Sequence, residues 1–194
     1  ISTAAVISNN RITPAFGVGW SKDEFELMQQ DFHTRGKRAD EIIAIMRKLW
    51  TGEMVNFKGD FYQFDNLEMN PAPSEYIPIW IGGISKAAMR RAARLADGWV
   101  TDLQTTAEII DCIKLITEYR KEYNRGHLPF EIMATPSDAF TIDGYRELEQ
   151  AGVTHILTQP WPFYHGETND IEKKIDGLQR YATDIIHPMN SSIN

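Results

Sequence analysis

The densest group of residues able to do chemistry is Gly82-Gly83-Ile84-Ser85-Lys86, placed between the apolar run Ile77-Pro78-Ile79-Trp80-Ile81 and a helical pattern. Two glycines permit positive φ and let a ligand approach the main chain. A helix starting near Ser85 aims its unpaired N–H groups and the positive end of its dipole at the same point. Ser85 adds a hydroxyl and Lys86 a charge. The chemistry on offer is capture of a phosphate or a similar anion. The same residues also read as a tight turn with Ser85 as an ordinary N-cap, and the motif alone leaves both readings open.

A second group, Gly17-Val18-Gly19-Trp20, invites comparison with G-x-G-x-x-G, but position 22 is Lys where the third glycine would stand. Close packing of strand on helix explains these glycines as well as ligand contact does. Trp20 is large for a turn and suits a pocket wall. His33, His127, His155, His165 and His187 show no metal-ligand spacing with one another or with Cys112. His155 falls within a strand and reads as a core histidine. Cys112 sits on an apolar helical stripe and reads as buried and inert. Trp50 and Trp99 read as core. No G-x-S-x-G, P-loop or H-E-x-x-H pattern occurs.

These loops need a scaffold, and the sequence supplies strands alternating with helices. Strands are expected at 12–17, 77–81, 98–101, 130–134 and 153–158. Helices are expected after each. Ser21 and Glu24 form a capping box. The helix over 34–51 carries Ile42, Ile45, Met46, Leu49 and Trp50 at helical spacing, with Gly52 as its cap. The last helix shows Ile171, Ile175, Leu178, Ala182 and Ile185 on one stripe. Between Met54 and Met69 the rhythm breaks, and aromatic residues around Lys58-Gly59-Asp60 predict an inserted β-hairpin. Five such units form a parallel sheet by right-handed crossovers, as an open doubly wound sheet or part of an eight-stranded barrel. In both, ligands gather where strands end, here also at Asp102, Thr135-Pro136-Ser137-Asp138 and Gln159-Pro160-Trp161.

With 42% hydrophobic residues in 194, the chain can build one well-formed core, and a single domain over 1–194 is expected. The net charge of −7 and the lack of a basic stripe exclude nucleic acid as a partner. Arg35-Gly36-Lys37-Arg38 is followed at once by Asp40 and Glu41 and reads as a solvated helix face. No apolar run approaches a membrane span. One cysteine fits a reducing compartment, and a cytoplasmic location is expected.

The order of these pieces resembles the luciferase-like monooxygenase family, especially its deazaflavin-using branch. The resemblance rests on Ser8-Asn9-Asn10-Arg11, on F-G-V-G-W with Glu24-Phe25, and on R-G-K-R-A-D-E with L-W-T-G-E at Leu49 to Glu53. It continues through F-K-G-D-F-Y-Q-F, P-I-W-I-G-G-I-S and R-A-A-R-L-A-D-G-W at Arg91 to Trp99. It is dense from Ser8 to Val100 and looser beyond. Asn9-Asn10 stands where relatives carry a glycine pair, a replacement that suits a turn because Asn tolerates positive φ.

The resemblance implies an α/β fold: a TIM-like (β/α)8 barrel, incomplete here, with the chain starting at the end of the third helix and supplying strands four to eight. It implies that Gly82, Gly83, Ile84 and Ser85 hold the phosphate of FMN or coenzyme F420, while Gly17, Gly19 and Trp20 border its ring. Trp20 lies near a position where bacterial luciferase has a phosphate-binding arginine, so luciferase-type phosphate geometry is not expected. The implied function is a flavin- or deazaflavin-dependent oxidoreductase acting on a small organic substrate. No catalytic acid or base is assigned, because the family carries much of that face in the first three units. Open sheet edges predict a homodimer. The rival readings are a non-catalytic flavin-binding barrel stabilised by dimerisation and an unrelated doubly wound binding domain.

Overall fold

The structure is a computed structural model that describes residues 1–191. It divides into two compact units, the first made of residues 1–100 and 115–131, the second of residues 101–114 and those from 132 on.

The first unit opens with α1 (Ser2–Ile7), β1 (Ala15–Phe16) and α2 (Lys22–Leu27). A 3-10 turn at Phe32–Thr34 leads into α3 (Arg35–Leu49), the hairpin β2 (Val55–Lys58) and β3 (Gln63–Leu67), then β4 (Trp80–Gly82) and α4 (Lys86–Leu95). It closes with the first half of β5 (Gly98–Gln104) and the second half of α5 (Thr106–Glu122). β4 is central and parallel to both neighbours, with Phe16 opposite Ile81 and Gly82 opposite Val100. Ile77, Ile79, Ile81 and Trp99 are fully buried, and Ala92 and Ala93 present α4's small face to this core.

Several expected elements are shorter than the apolar pattern suggests. Pro14 and Pro78 lack the N–H a ladder needs, so β1 and β4 begin beyond them. The hairpin forms as expected, and Asn9 and Asn10 take φ of 54° and 58°. Ser21 caps α2, accepting from the Glu24 amide at 3.4 Å.

Charged motif residues turn out to be fasteners. Asp40 accepts from both Arg91 and Arg94. The Glu41 carboxylate takes the backbone N–H groups of Asp60, Phe61 and Tyr62 at 2.7, 3.1 and 3.1 Å, tying α3 to the hairpin turn. Asp97 accepts from Arg47, the Tyr76 hydroxyl and the Ile79 amide. The expectation of a solvated basic face at 35–38 is corrected. Arg35 donates to the Gly19 and Phe32 carbonyls at 3.0 and 2.8 Å, with its guanidinium 3.5 Å from the Phe32 ring centre.

The second unit contains the remainder of β5 and the first half of α5, with β6 (Glu131–Pro136), α6 (Ile142–Gln150) and β7 (His155–Ile156). Then come α7 (Trp161–His165), α8 (Ile171–Tyr181), a π-helical turn at Ala182–Ile186 and α9 (His187–Ser191). β6 lies between β5 and β7 and is parallel to β7, with Met133 opposite His155. The short helix α7 has no counterpart in the sequence reading. The expected stripe on α8 is overturned, since Ile171, Ile175 and Leu178 are 66%, 47% and 50% exposed. α8 instead packs through Gly177, where an added Cβ would lie 2.5 Å from the Trp161 Cα, and through Tyr181. A side chain at 177 would force the two helices apart, so the glycine decides which face is buried. His155 is exposed, not a core residue, and its Nδ1 lies 2.9 Å from the Thr154 hydroxyl.

Candidate functional site

In the first unit, β1 ends at Phe16 and β4 at Gly82, beside Val100 within β5. Gly83 adopts φ +114°, and an added Cβ would stand 3.1 Å from the Ala88 Cβ. The positive φ strains any side chain there, and the close approach adds to the cost. The turn is pinned from two directions: the Gly83 amide donates to the Val100 carbonyl at 3.3 Å, and the Trp99 indole N–H donates to the Gly83 carbonyl at 2.9 Å. Gly82 is less constrained, since a Cβ there would meet only the Phe16 and Val100 carbonyls at 3.8 Å.

Ser85 caps α4, its hydroxyl oxygen accepting from the Ala88 amide at 3.2 Å. The hydroxyl proton remains available to an acceptor. Lys86 and Ala87 occupy the first turn and are exposed residues, and their amides have no acceptor within the helix. A rigid glycine turn thus delivers a hydroxyl, unpaired amides, a helix N-terminus and one cation to the end of β4. That donor set fits a phosphate group.

The structure brings Gly17 alongside this turn through the Phe16–Ile81 register. Gly19 has its own structural reason, with φ +85° and an added Cβ only 2.7 Å from the Phe25 ring. Trp20 is 88% exposed. A small cavity of about 120 Å³ beside Gly17 is lined by Phe16, Val18 and Ile42, among others, and Trp20 is not among its walls. Trp99, which fixes the turn, was read only as core. Its position directly after Gly98 at the start of β5 was the available signal.

The second unit has a larger cavity, about 480 Å³, where β5, β6 and β7 end. Leu103, Phe140, Leu157 and Phe163 form its apolar walls, and the Phe140 and Phe163 rings stand 4.7 Å apart. The flanking loops were recognised as strand ends, but the aromatic pair joins α7 to the β6–α6 loop and leaves no local pattern. Asp138, in one of those loops, is a cap for α5: it accepts from the Thr106 amide and hydroxyl at 2.8 and 2.7 Å, which lowers its pKa. Cys112 is partly buried, and that burial pushes its thiol pKa up, so it is a poor nucleophile. Among the described residues no three His, Cys, Asp or Glu side chains gather as a metal ion needs, and no helix is long and apolar enough to cross a membrane.

This α/β scaffold agrees with what the chain is similar to. The family model for luciferase-like monooxygenases matches residues 1–166, and the chain belongs to that family. An uncharacterized protein of Mycobacterium tuberculosis (strain ATCC 25618 / H37Rv) is 40% identical over 189 residues, covering 95% of this chain and 64% of the relative. The chain therefore spans less than two thirds of that relative's length. An FMNH(2)-dependent dimethylsulfone monooxygenase of Pseudomonas fluorescens (strain Pf0-1) is 33% identical over 105 residues, 53% of this chain and 29% of that one. Among solved structures, the coenzyme F420 dependent tetrahydromethanopterin reductase of Methanopyrus kandleri superposes with a TM-score of 0.77 at 15% identity, covering 97% of this chain and 77% of that one. The likeness supports the barrel-type reading over an unrelated doubly wound domain.

Proposed function

We propose that the chain is the cofactor-anchoring part of an oxidoreductase that binds FMN or coenzyme F420 through phosphate and acts on a small organic substrate. The carrying observation is the Gly83 turn: its φ of +114° and its bond from the Trp99 indole hold an anion-suited helix N-terminus at the end of a central strand. Gly82 and Gly83 would leave room for the phosphate, the Ile84 to Ala87 backbone and Ser85 would donate to it, and Lys86 would neutralise it. Bound there, the cofactor's ring would supply hydride or oxygen chemistry. Trp20, exposed beyond Gly19, is free to cover a ring bordered by Gly17 and Gly19. The family membership and the FMNH(2)-dependent relative support this reading.

The test is a titration of the purified protein with FMN and with coenzyme F420, followed by absorbance. Micromolar binding of one of them is expected, and binding of neither would overturn the proposal. A homodimer belongs to the same reading, because β1 and β7 each pair on one side only among the described residues. Light scattering on the eluting protein should give twice the chain mass.

A further inference from the structure

The cavity of the second unit differs in chemistry from the glycine turn, and the difference concerns charge. Among the described residues its walls carry no Lys, Arg, His, Asp or Glu. An anionic or cationic ligand placed there would lose its hydration without gaining a counter-ion, which is strongly unfavourable. Besides the apolar walls, the lining includes Thr135, Ser137, Thr158 and Gln159. The main-chain amides of Thr135 and Ser137 are used up by the Thr101 hydroxyl and the Gln104 carbonyl, which fixes the backbone of this wall. The side-chain hydroxyls and the Gln159 amide hold no hydrogen bond to another described residue. They are unspent polar groups on an otherwise apolar surface, the usual composition of a small-molecule site.

The volume adds a limit. About 480 Å³ lies within the range of small-molecule pockets and well below what a protein segment needs. Leu103, Leu157 and Phe140 are 64%, 53% and 48% exposed, so the apolar walls are reachable from solvent.

We infer that this cavity is a binding site for an uncharged, largely apolar organic molecule with one hydroxyl, carbonyl or ether oxygen. Its apolar part lies against Leu103, Leu157 and the Phe140–Phe163 pair, and its oxygen meets the Thr135, Ser137, Thr158 or Gln159 side chains. Calling that molecule the substrate rests on the oxidoreductase reading above, whereas its binding does not. Phosphorylated and carboxylated compounds are excluded from this site.

The probe set is 1-octanol, octanoate and octylammonium, which share a chain and differ in head-group charge. Calorimetric titration into the full chain should show octanol binding at least about tenfold more tightly than either ion. Phe140→Asp, on an already exposed side chain, should weaken octanol at least about tenfold with an unchanged circular dichroism spectrum. Thr158→Lys should reverse the order of octanol and octanoate. If Phe140→Asp disturbs folding, the Thr158→Lys reversal decides alone. Absence of octanol binding, octanoate binding as tightly as octanol, or variants without effect would overturn the inference. Titration of the same sample with FMN and with coenzyme F420 separates the two proposals. Octanol bound with neither FMN nor coenzyme F420 bound leaves the cavity standing and removes the oxidoreductase reading; either cofactor bound without octanol does the reverse.

Discussion

The two strand-end sites use the same architecture for opposite chemistry. At the glycine turn of the first unit, side chains are stripped away and the surface proposed to meet a ligand is mostly backbone, with Ser85 and Lys86 beside it. At the cavity of the second unit, side chains supply everything: two aromatic rings, two leucines and a few neutral polar groups. The supporting structure follows the same division. The first unit is fastened by carboxylates, with Asp40, Glu41 and Asp97 each holding two or more donors. In the second, Asp138 holds Thr106 in the same way, and close contacts are added to it: Gly177 against Trp161 and the Tyr145–Tyr181 ring pair. A backbone site tolerates no drift in φ, which gives rigid ionic fasteners around it a reason. An apolar pocket gains affinity from area and accepts small shifts.

The largest expected effect is at Asp97, the fastener that pairs a guanidinium, a phenol and a backbone amide. Asp97→Ala removes the acceptor of the Tyr76 hydroxyl and the Ile79 amide and leaves Arg47 only the Ile77 carbonyl, at a side chain that is 23% exposed. It should cost about 3 kcal/mol in urea unfolding. A cost below about 1 kcal/mol would break the contrast between the two units. Gly83→Ala should cost about 2 kcal/mol by forcing a Cβ into positive φ, and it should weaken cofactor binding at least about tenfold. Unchanged cofactor affinity in that variant would detach the turn from binding.

Glu41→Ala should cost about 1 kcal/mol and speed hydrogen exchange at the Asp60, Phe61 and Tyr62 amides, leaving the second unit's amides unchanged. Tyr76 provides a test by pH. Burial, followed by its bond to Asp97, pushes its phenol up to about 12 from an ordinary 10. A raised pKa means the stability it lends is complete below pH 10 and is lost as pH rises through about 12. Stability measured against pH should fall across that window, and Tyr76→Phe should flatten the fall. The smallest effect is expected at Trp20→Ala, within about 0.5 kcal/mol of wild type, because the ring is 88% exposed.

The same division decided what could be read from the sequence. Glycines, caps and proline breaks act through neighbours in the chain, so the Ser85 cap, the Ser21 cap and the hairpin turn at Gly59 were legible as local patterns. The ordered motifs also carried the family. Their charged members were legible only as motif letters, because Asp40 meets Arg91 and Arg94 across more than fifty positions, a pairing no spacing rule encodes. The cavity of the second unit was hidden for the same reason: Leu103 comes from β5, Phe140 from the β6–α6 loop and Phe163 from α7. The α8 stripe misled because periodicity reports an apolar face without saying whether a neighbour covers it. There the absence of a side chain at Gly177 outweighed three large apolar residues.

The central claim is that the Gly82-Gly83-Ile84-Ser85 turn captures a phosphate. Its most direct test compares FMN with riboflavin, which has the same ring system and lacks the phosphate, by quenching of flavin fluorescence on wild type and Gly83→Ala. The account predicts that wild type binds FMN at least about tenfold more tightly than riboflavin, and that the variant loses most of this preference. Equal affinity for the two in wild type, or an unchanged preference in Gly83→Ala, would contradict it.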